Sequence, residues 1–96
     1  MPGATRLGDY NTGHGGFPPV PLITASSDVL INGIGAGRAG DMYPPHTDPS
    51  PETDTDSISA GSATVFINGR AAARIGDPID NGGTVADGSG NVFIGG

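Results

Sequence analysis

The chain has 96 residues, a net charge of −6, no cysteine and no lysine, and its only cations are Arg6, Arg38, Arg70 and Arg74. Eighteen glycines and nine prolines are more than twice the roughly 12% expected for the two together, and a chain of this size forms one domain that buries only about 60–70% of its surface. Disulfides and thiolate metal sites are excluded, a nucleic-acid surface and an anionic-membrane anchor are disfavoured by the charge, and no apolar run approaches the ~20 residues of a membrane span.

In chain order, the first element is the extended piece around Arg6-Leu-Gly-Asp9, followed by the Gly13-His14-Gly-Gly16 loop. Phe17-Pro-Pro-Val-Pro21 is stiff, because proline fixes φ. A strand is expected over 23–32 and ends in Asn32-Gly33, a strong hairpin signal. Gly35-Ala-Gly37-Arg-Ala-Gly40 has the spelling of a dinucleotide fingerprint, but Pro44-Pro45 follows it and no crossover helix comes behind the glycines to aim amides at a phosphate. Drift within a repeat explains it better.

Arg38-Ala-Gly-Asp41 and His46 follow. The stretch 47–57 then carries Asp48, Glu52, Asp54 and Asp56 without an apolar anchor, so a solvated acidic loop is expected; it lacks the turn glycine and distal glutamate of a calcium loop. A second strand over 62–68 runs into Asn68-Gly69 and then Arg70-Ala-Ala-Ala-Arg74, which is too short for a helix and is expected to form a turn between two strands. Arg74-Ile-Gly-Asp77, a short extended piece over 84–86 and a last strand over 91–95 complete the chain.

Asp28-Val-Leu-Ile-Asn-Gly33, Thr64-Val-Phe-Ile-Asn-Gly69 and Asn91-Val-Phe-Ile-Gly-Gly96 are near copies of one phrase, and the Arg-x-Gly-Asp tail occurs at Arg6, Arg38 and Arg74. The third copy is therefore split, with its strand at the C-terminus and its tail near the N-terminus. Val29, Val65 and Val92 lie 36 and 27 residues apart, which is too uneven for a solenoid and suits units around one axis. The expected fold is all-β: a small pseudo-threefold cone of short hairpins with Gly/Pro-rich loops and no significant helix. Arg-x-Gly-Asp is expected to be a repeated salt bridge or turn, since a catalytic site is built once and a structural device recurs. No catalytic residue is assigned: Ser26, Ser27, Ser57, Ser59, Ser62 and Ser89 have no marked base or orienting carboxylate.

His14 and His46 are each five residues past the Asp of Arg-x-Gly-Asp, and the same offset from Asp77 falls on Gly82. Equivalent positions converge at the axis, so the two imidazoles either share a metal ion, completed by Asp80, Asn81, Tyr43 or water, or are hydrogen-bonded structural caps. Ile31 and Ile67 are expected to serve the binding base.

Arg6-Leu-Gly-Asp9, Gly13-His14-Gly-Gly16, the run Ser62 to Asp77 and Gly88-Ser-Gly-Asn-Val-Phe-Ile-Gly-Gly96 resemble the PAAR-repeat proteins across nearly the whole chain, with Ala71-Ala-Ala-Arg74 in the place of Pro-Ala-Ala-Arg. The resemblance implies a single domain over 1–96, a pointed β-cone that caps a trimeric β-helical spike, one cap per trimer, and sharpens it for envelope piercing by a type VI secretion system or contractile phage tail. It implies a single zinc or iron ion at the tip on His14 and His46; typical members use three histidines and one cysteine, and the cysteine position is Asn81 here. It further implies transient contact with a target envelope; the three internal units, which already supply a threefold match, predict a monomer on its own, and the charge predicts no nucleic-acid partner. Such a protein is made in the cytoplasm without a signal peptide and reaches a virion tail tip or the exterior through the contractile apparatus. Because the chain ends after its last strand, no fused effector is expected. The readings from other classes are a small metal-dependent enzyme and a surface binding module.

Overall fold

In a computed structural model, residues 1–15, 17–47, 53–54, 56–80 and 82–96 are described, for 46–47 and 53–54 by their backbone alone. Among the described residues there is no helix, and therefore none long and apolar enough to cross a membrane. Among the described residues the strands form three two-stranded antiparallel sheets: β1 (Leu30–Ile31) with β2 (Ile34–Gly35), β3 (His46–Thr47) with β4 (Thr53–Asp54), and β5 (Phe66–Ile67) with β6 (Arg70–Ala71). The all-β expectation holds.

Asn32-Gly33 and Asn68-Gly69 make the turns of the first and last sheets. All four residues have positive φ, at 54° and 77° and again at 54° and 75°. This is the type I′ conformation, which matches strand twist and which asparagine followed by glycine adopts at least cost. The third copy of the phrase closes between the chain ends: Gly3 bridges Phe93, and the Ile94 amide donates to the Pro2 carbonyl at 3.0 Å. The Ala4 amide donates to Val92 O at 3.0 Å, as Ala36 does to Val29 at 3.0 Å and Ala72 to Val65 at 2.9 Å. The circularly shifted third unit is thus assembled from both termini.

Ladder pairing is shorter than the sequence suggests. The predicted strand over 23–32 is interrupted because the Ser26 hydroxyl accepts the amides of Asp28 and Val29, bending the chain before β1. Ser62 does the same for Thr64 and Val65, and Ser89 for Asn91 and Val92. A serine that satisfies two amides locally competes with the ladder. The Arg70–Arg74 run is not itself the turn: Asn68-Gly69 turns the chain, and Arg70–Ala71 is the returning strand.

Units interlock through the backbone. The amides of Thr5, Ala73 and Gly37 donate in a closed cycle to the carbonyls of Ala73 (3.1 Å), Gly37 (3.1 Å) and Thr5 (2.9 Å), so each unit holds the next around the axis. Side chains form layers on either side of this ring. Towards the hairpin turns lie Ala4, Ala36 and Ala72, then Ile31, Ile67 and Ile94, all buried in one cluster. On the other side Leu22, Ile58 and Val85 pack with Tyr43, Ile79 and Ala73 in a second cluster. The result is an elongated body of 39 × 23 × 23 Å, with the hairpin turns on one side of the ring and the His14 loop on the other.

The glycines of the fingerprint-like run have steric reasons. A Cβ on Gly37 would lie 2.7 Å from Thr5 Cγ2 and 3.0 Å from Leu22 Cδ2. Gly40 takes φ 90° in the Arg38–Asp41 turn. Neither cradles a phosphate.

Candidate functional site

Each Arg-x-Gly-Asp forms a turn in which the Asp amide donates to the Arg carbonyl at 3.0 Å, with Gly8, Gly40 and Gly76 at φ 88°, 90° and 92°. Positive φ at the third residue is the type II turn, where glycine avoids the Cβ penalty. The turn aims the guanidinium back at the carboxylate, and Nε and Nη2 grip its two oxygens: 2.9 and 3.2 Å for Arg6–Asp9, 2.9 and 2.9 Å for Arg38–Asp41, and 2.9 and 3.0 Å for Arg74–Asp77. The remaining nitrogen, Nη1, crosses to the neighbouring unit, from Arg6 to Asn32 Oδ1 (3.0 Å), from Arg38 to Asn68 Oδ1 (2.9 Å) and from Arg74 to Gly95 O (3.0 Å). The motif is a belt that closes on itself.

Asp41 is the most deeply embedded part of that belt. Burial alone would raise its carboxyl, but hydrogen bonds from Arg38, from the Thr24 hydroxyl and from the Arg38 amide hold it below its ordinary value. Arg70 of the next unit adds a contact at 3.2 Å.

At the hairpin end the structure separates two sets of strand residues. Ile31 and Ile67, expected at the binding base, point inward with Ile94 and are buried. Their neighbours Leu30, Phe66 and Phe93, at equivalent places in the three units, are 58%, 60% and 50% exposed. Consecutive strand residues face opposite ways, and both sets here are apolar, so alternation alone did not say which was inner. The matching positions of the phrase were the available signal.

At the opposite end, His14 lies beside Gly82, as their shared offset requires: a Cβ on Gly82 would touch His14 Cβ at 3.4 Å. His14 and Phe17 exchange both backbone hydrogen bonds, at 3.1 and 2.8 Å, and their rings pack with centroids 5.1 Å apart. His14 Nε2 is 3.2 Å from Asp56 Oδ2, with side-chain exposures of 17% and 1%. This corrects the solvated-loop expectation at Asp56: its carbonyl accepts the Tyr43 amide at 3.0 Å and its carboxylate meets His14, so it belongs to the interior. Asp48 and Glu52 lie outside the described residues.

The His46 side chain and Asn81 also lie outside them; the His46 backbone pairs with Asp54. Asp80 accepts a hydrogen bond from Ser57 Oγ at 2.7 Å. The Tyr43 hydroxyl is buried without a hydrogen-bond partner among the described residues. Burial, then the charges of Asp9, Asp56 and Asp41, push its phenol up, which disfavours a phenolate ligand. Among the described residues no three of His, Cys, Asp or Glu converge to hold a metal, and there is no cavity for a substrate.

Residues that repeat are structural, the exposed apolar set is threefold, and the His14–Asp56 pair occurs once. Together these define a small pseudo-threefold all-β module. The chain belongs to the PAAR motif family, whose motif matches residues 7–87. It is 40% identical, over 76% of its length, to a double-stranded DNA deaminase toxin of Burkholderia cenocepacia. It is 39% identical over 78% of its length to the NAD(P)(+) glycohydrolase toxin Tse6 of Pseudomonas aeruginosa, and likewise 39% over 78% to a (p)ppApp synthetase toxin, Tas1, from that species. The matched region covers 5%, 19% and 18% of those relatives.

Proposed function

We propose that this domain is a spike-tip cap: one copy seats its hairpin end on the end of a trimeric β-helical spike and sharpens it for a contractile injection machine of the type VI secretion or phage-tail kind. The observation that carries the reading is the threefold set Leu30, Phe66 and Phe93, exposed beside an axial plug of Ile31, Ile67 and Ile94. A single chain with threefold side chains matches a trimer end without having to trimerise itself. Those three side chains are already about half covered, so covering the rest is worth about 1–1.5 kcal/mol each in transfer free energy. The backbone-paired units add rigidity, which a part that transmits force needs.

The relatives' names add a second line of support. They denote three different chemistries, base deamination, glycohydrolysis and nucleotide synthesis, yet all share the segment matched here. A segment common to unrelated activities serves what those toxins have in common, which is delivery.

Light scattering of the free chain and of a mixture with a trimeric β-helical spike tests the proposal. The expected result is a monomer that forms a complex of one cap per three spike chains. The double variant Phe66→Asp/Phe93→Asp should melt like the parent and fail to bind. A stable homotrimer of this chain, or undiminished binding by the double variant, would overturn the reading.

A further inference from the structure

We propose that the links between units seal the Asn32-Gly33 and Asn68-Gly69 steps against deamidation, so that a closed domain does not age at these sites and one that has opened is marked irreversibly. In this reaction the glycine amide nitrogen attacks Cγ of the preceding asparagine and gives up its proton to solvent. The Cγ–Nδ2 bond breaks, the departing nitrogen takes up a proton and leaves as ammonia, and water then opens the cyclic imide to aspartate or isoaspartate. Asparagine before glycine is the step most open to it, because glycine has no Cβ to keep the two groups apart. Both steps stand in solvent here: Asn32, Gly33, Asn68 and Gly69 are exposed, and nothing lies within 4 Å of where a Cβ on either glycine would be. Burial protects neither.

The seal is made by the neighbouring unit. Asn68 Oδ1 accepts from Arg38 Nη1 at 2.9 Å while its Nδ2 donates to Asp28 Oδ1 at 2.9 Å. Asn32 Oδ1 accepts from Arg6 Nη1 at 3.0 Å while its Nδ2 donates to Asn91 Oδ1 at 2.8 Å. Each amide is thus pinned at both of its ends, with Cγ between them. The partners are themselves fixed, the arginines by their grip on Asp9 and Asp41, and Asp28 and Asn91 by the hydroxyls of Ser26 and Ser89. To carry Cγ to the glycine nitrogen, the side chain must swing off the neighbouring unit and break both bonds. The guanidinium draws electrons from the asparagine carbonyl, which by itself favours attack, so the block is positional and lasts only while the seam is closed. Isoaspartate adds a methylene to the backbone of a two-residue turn that requires positive φ at both residues. Either product has a carboxylate and no amide donor, and at position 68 that carboxylate faces Asp28. A seam opened in this way does not re-form.

Trypsin cuts after Arg6, Arg38, Arg70 and Arg74, so the peptides 7–38 and 39–70 carry one Asn-Gly step each. The third step, Asn81-Gly82, begins outside the described residues and falls in another peptide. The test is to age the full chain at mildly alkaline pH, folded and in guanidinium chloride, and to follow deamidation of each peptide by mass spectrometry. Both steps are expected to react about ten- to a hundredfold more slowly in the folded chain, the cost of breaking hydrogen bonds to charged groups expressed as a rate. Asp28→Ala and Asn91→Ala change exposed residues; the first should speed reaction at Asn68 alone and the second at Asn32 alone. Equal rates in the folded and denatured chain would overturn the proposal, as would variants that melt like the parent yet speed both steps alike or neither. The comparison of folded with denatured parent decides it even if a variant fails to fold.

Discussion

Gly37 and Thr5 meet across the axis so closely that the Gly37 amide donates to the Thr5 carbonyl at 2.9 Å while a Cβ on residue 37 would stand 2.7 Å from Thr5 Cγ2. One unit of the ring must be bare where its neighbour carries a branched side chain. The third equivalent position holds Ala73, so the ring is filled by three residues of different size. Gly37→Ala is expected to cost about 1–3 kcal/mol, the usual range for overpacking. Thr5→Ser removes the clashing methyl and should recover part of that loss in the double variant. Denaturant midpoints of the two singles and the double measure it, and additive losses would show that the contact is not the cause.

Asp41 contributes to the acid limit. Its folded-state carboxyl is held below the ordinary value by Arg38 and Thr24 against the opposing effect of burial. A depressed carboxylate contributes stability that is present above its unfolded pKa, about 3.9, and is lost as pH falls through its lower folded value. Melting temperature should therefore decline below about pH 4. Asp41→Asn should lower stability at neutral pH by roughly 1.5–3 kcal/mol, the range for hydrogen bonds to charged groups, and should flatten the decline. A profile equally steep in the variant would assign the acid sensitivity elsewhere.

Much of this architecture is legible in the sequence, because the fold repeats what the sequence repeats. Two Asn-Gly steps specify two type I′ turns, and the separation of Val92 from the Arg6 turn tells that one hairpin is shared between the chain ends. What is not legible is set by distance and by face. Asp56 closes a stretch of prolines and acids, and the His14 that its carboxylate meets is 42 positions away. Leu30 and Ile31 are both aliphatic, so composition does not distinguish the outward residue from the inward one. The Nη1 reach of each arginine to the next unit is likewise a tertiary fact, visible only once the units are placed in a ring.

Asn68 combines backbone and side-chain roles that can be separated. Its φ is 54°, its Oδ1 accepts from Arg38 Nη1 at 2.9 Å, and its Nδ2 donates to Asp28 at 2.9 Å. Asn68→Gly loses the bridges and keeps the conformation at little cost, whereas Asn68→Ala also carries the left-handed penalty of about 1–2 kcal/mol. The alanine variant is expected to be less stable than the glycine variant by that margin, with unchanged urea m-values. Equal midpoints would mean that the turn tolerates a different geometry than the one described.

The split hairpin makes the strongest demand on the pseudo-threefold fold. Ile94 aligns with Pro2 as Ile31 does with Ile34 and Ile67 with Arg70, and Gly96 has φ 80° where Gly33 and Gly69 have 77° and 75°. Removing Met1 and joining Gly96 to Pro2 would therefore create a third two-residue turn, Gly95-Gly96, of the same length as the other two. Opening the chain between Asn68 and Gly69 would then move the split from one unit to its equivalent, leaving every axial layer and every Arg-x-Gly-Asp turn intact. Chain ends placed in exposed turns are ordinarily tolerated. The permutant is expected to melt cooperatively with a circular dichroism spectrum like that of the parent, losing stability chiefly through the Arg38–Asn68 link. A permutant that is unfolded, while Met1 deletion alone is harmless, would show that the three units are not interchangeable in the fold.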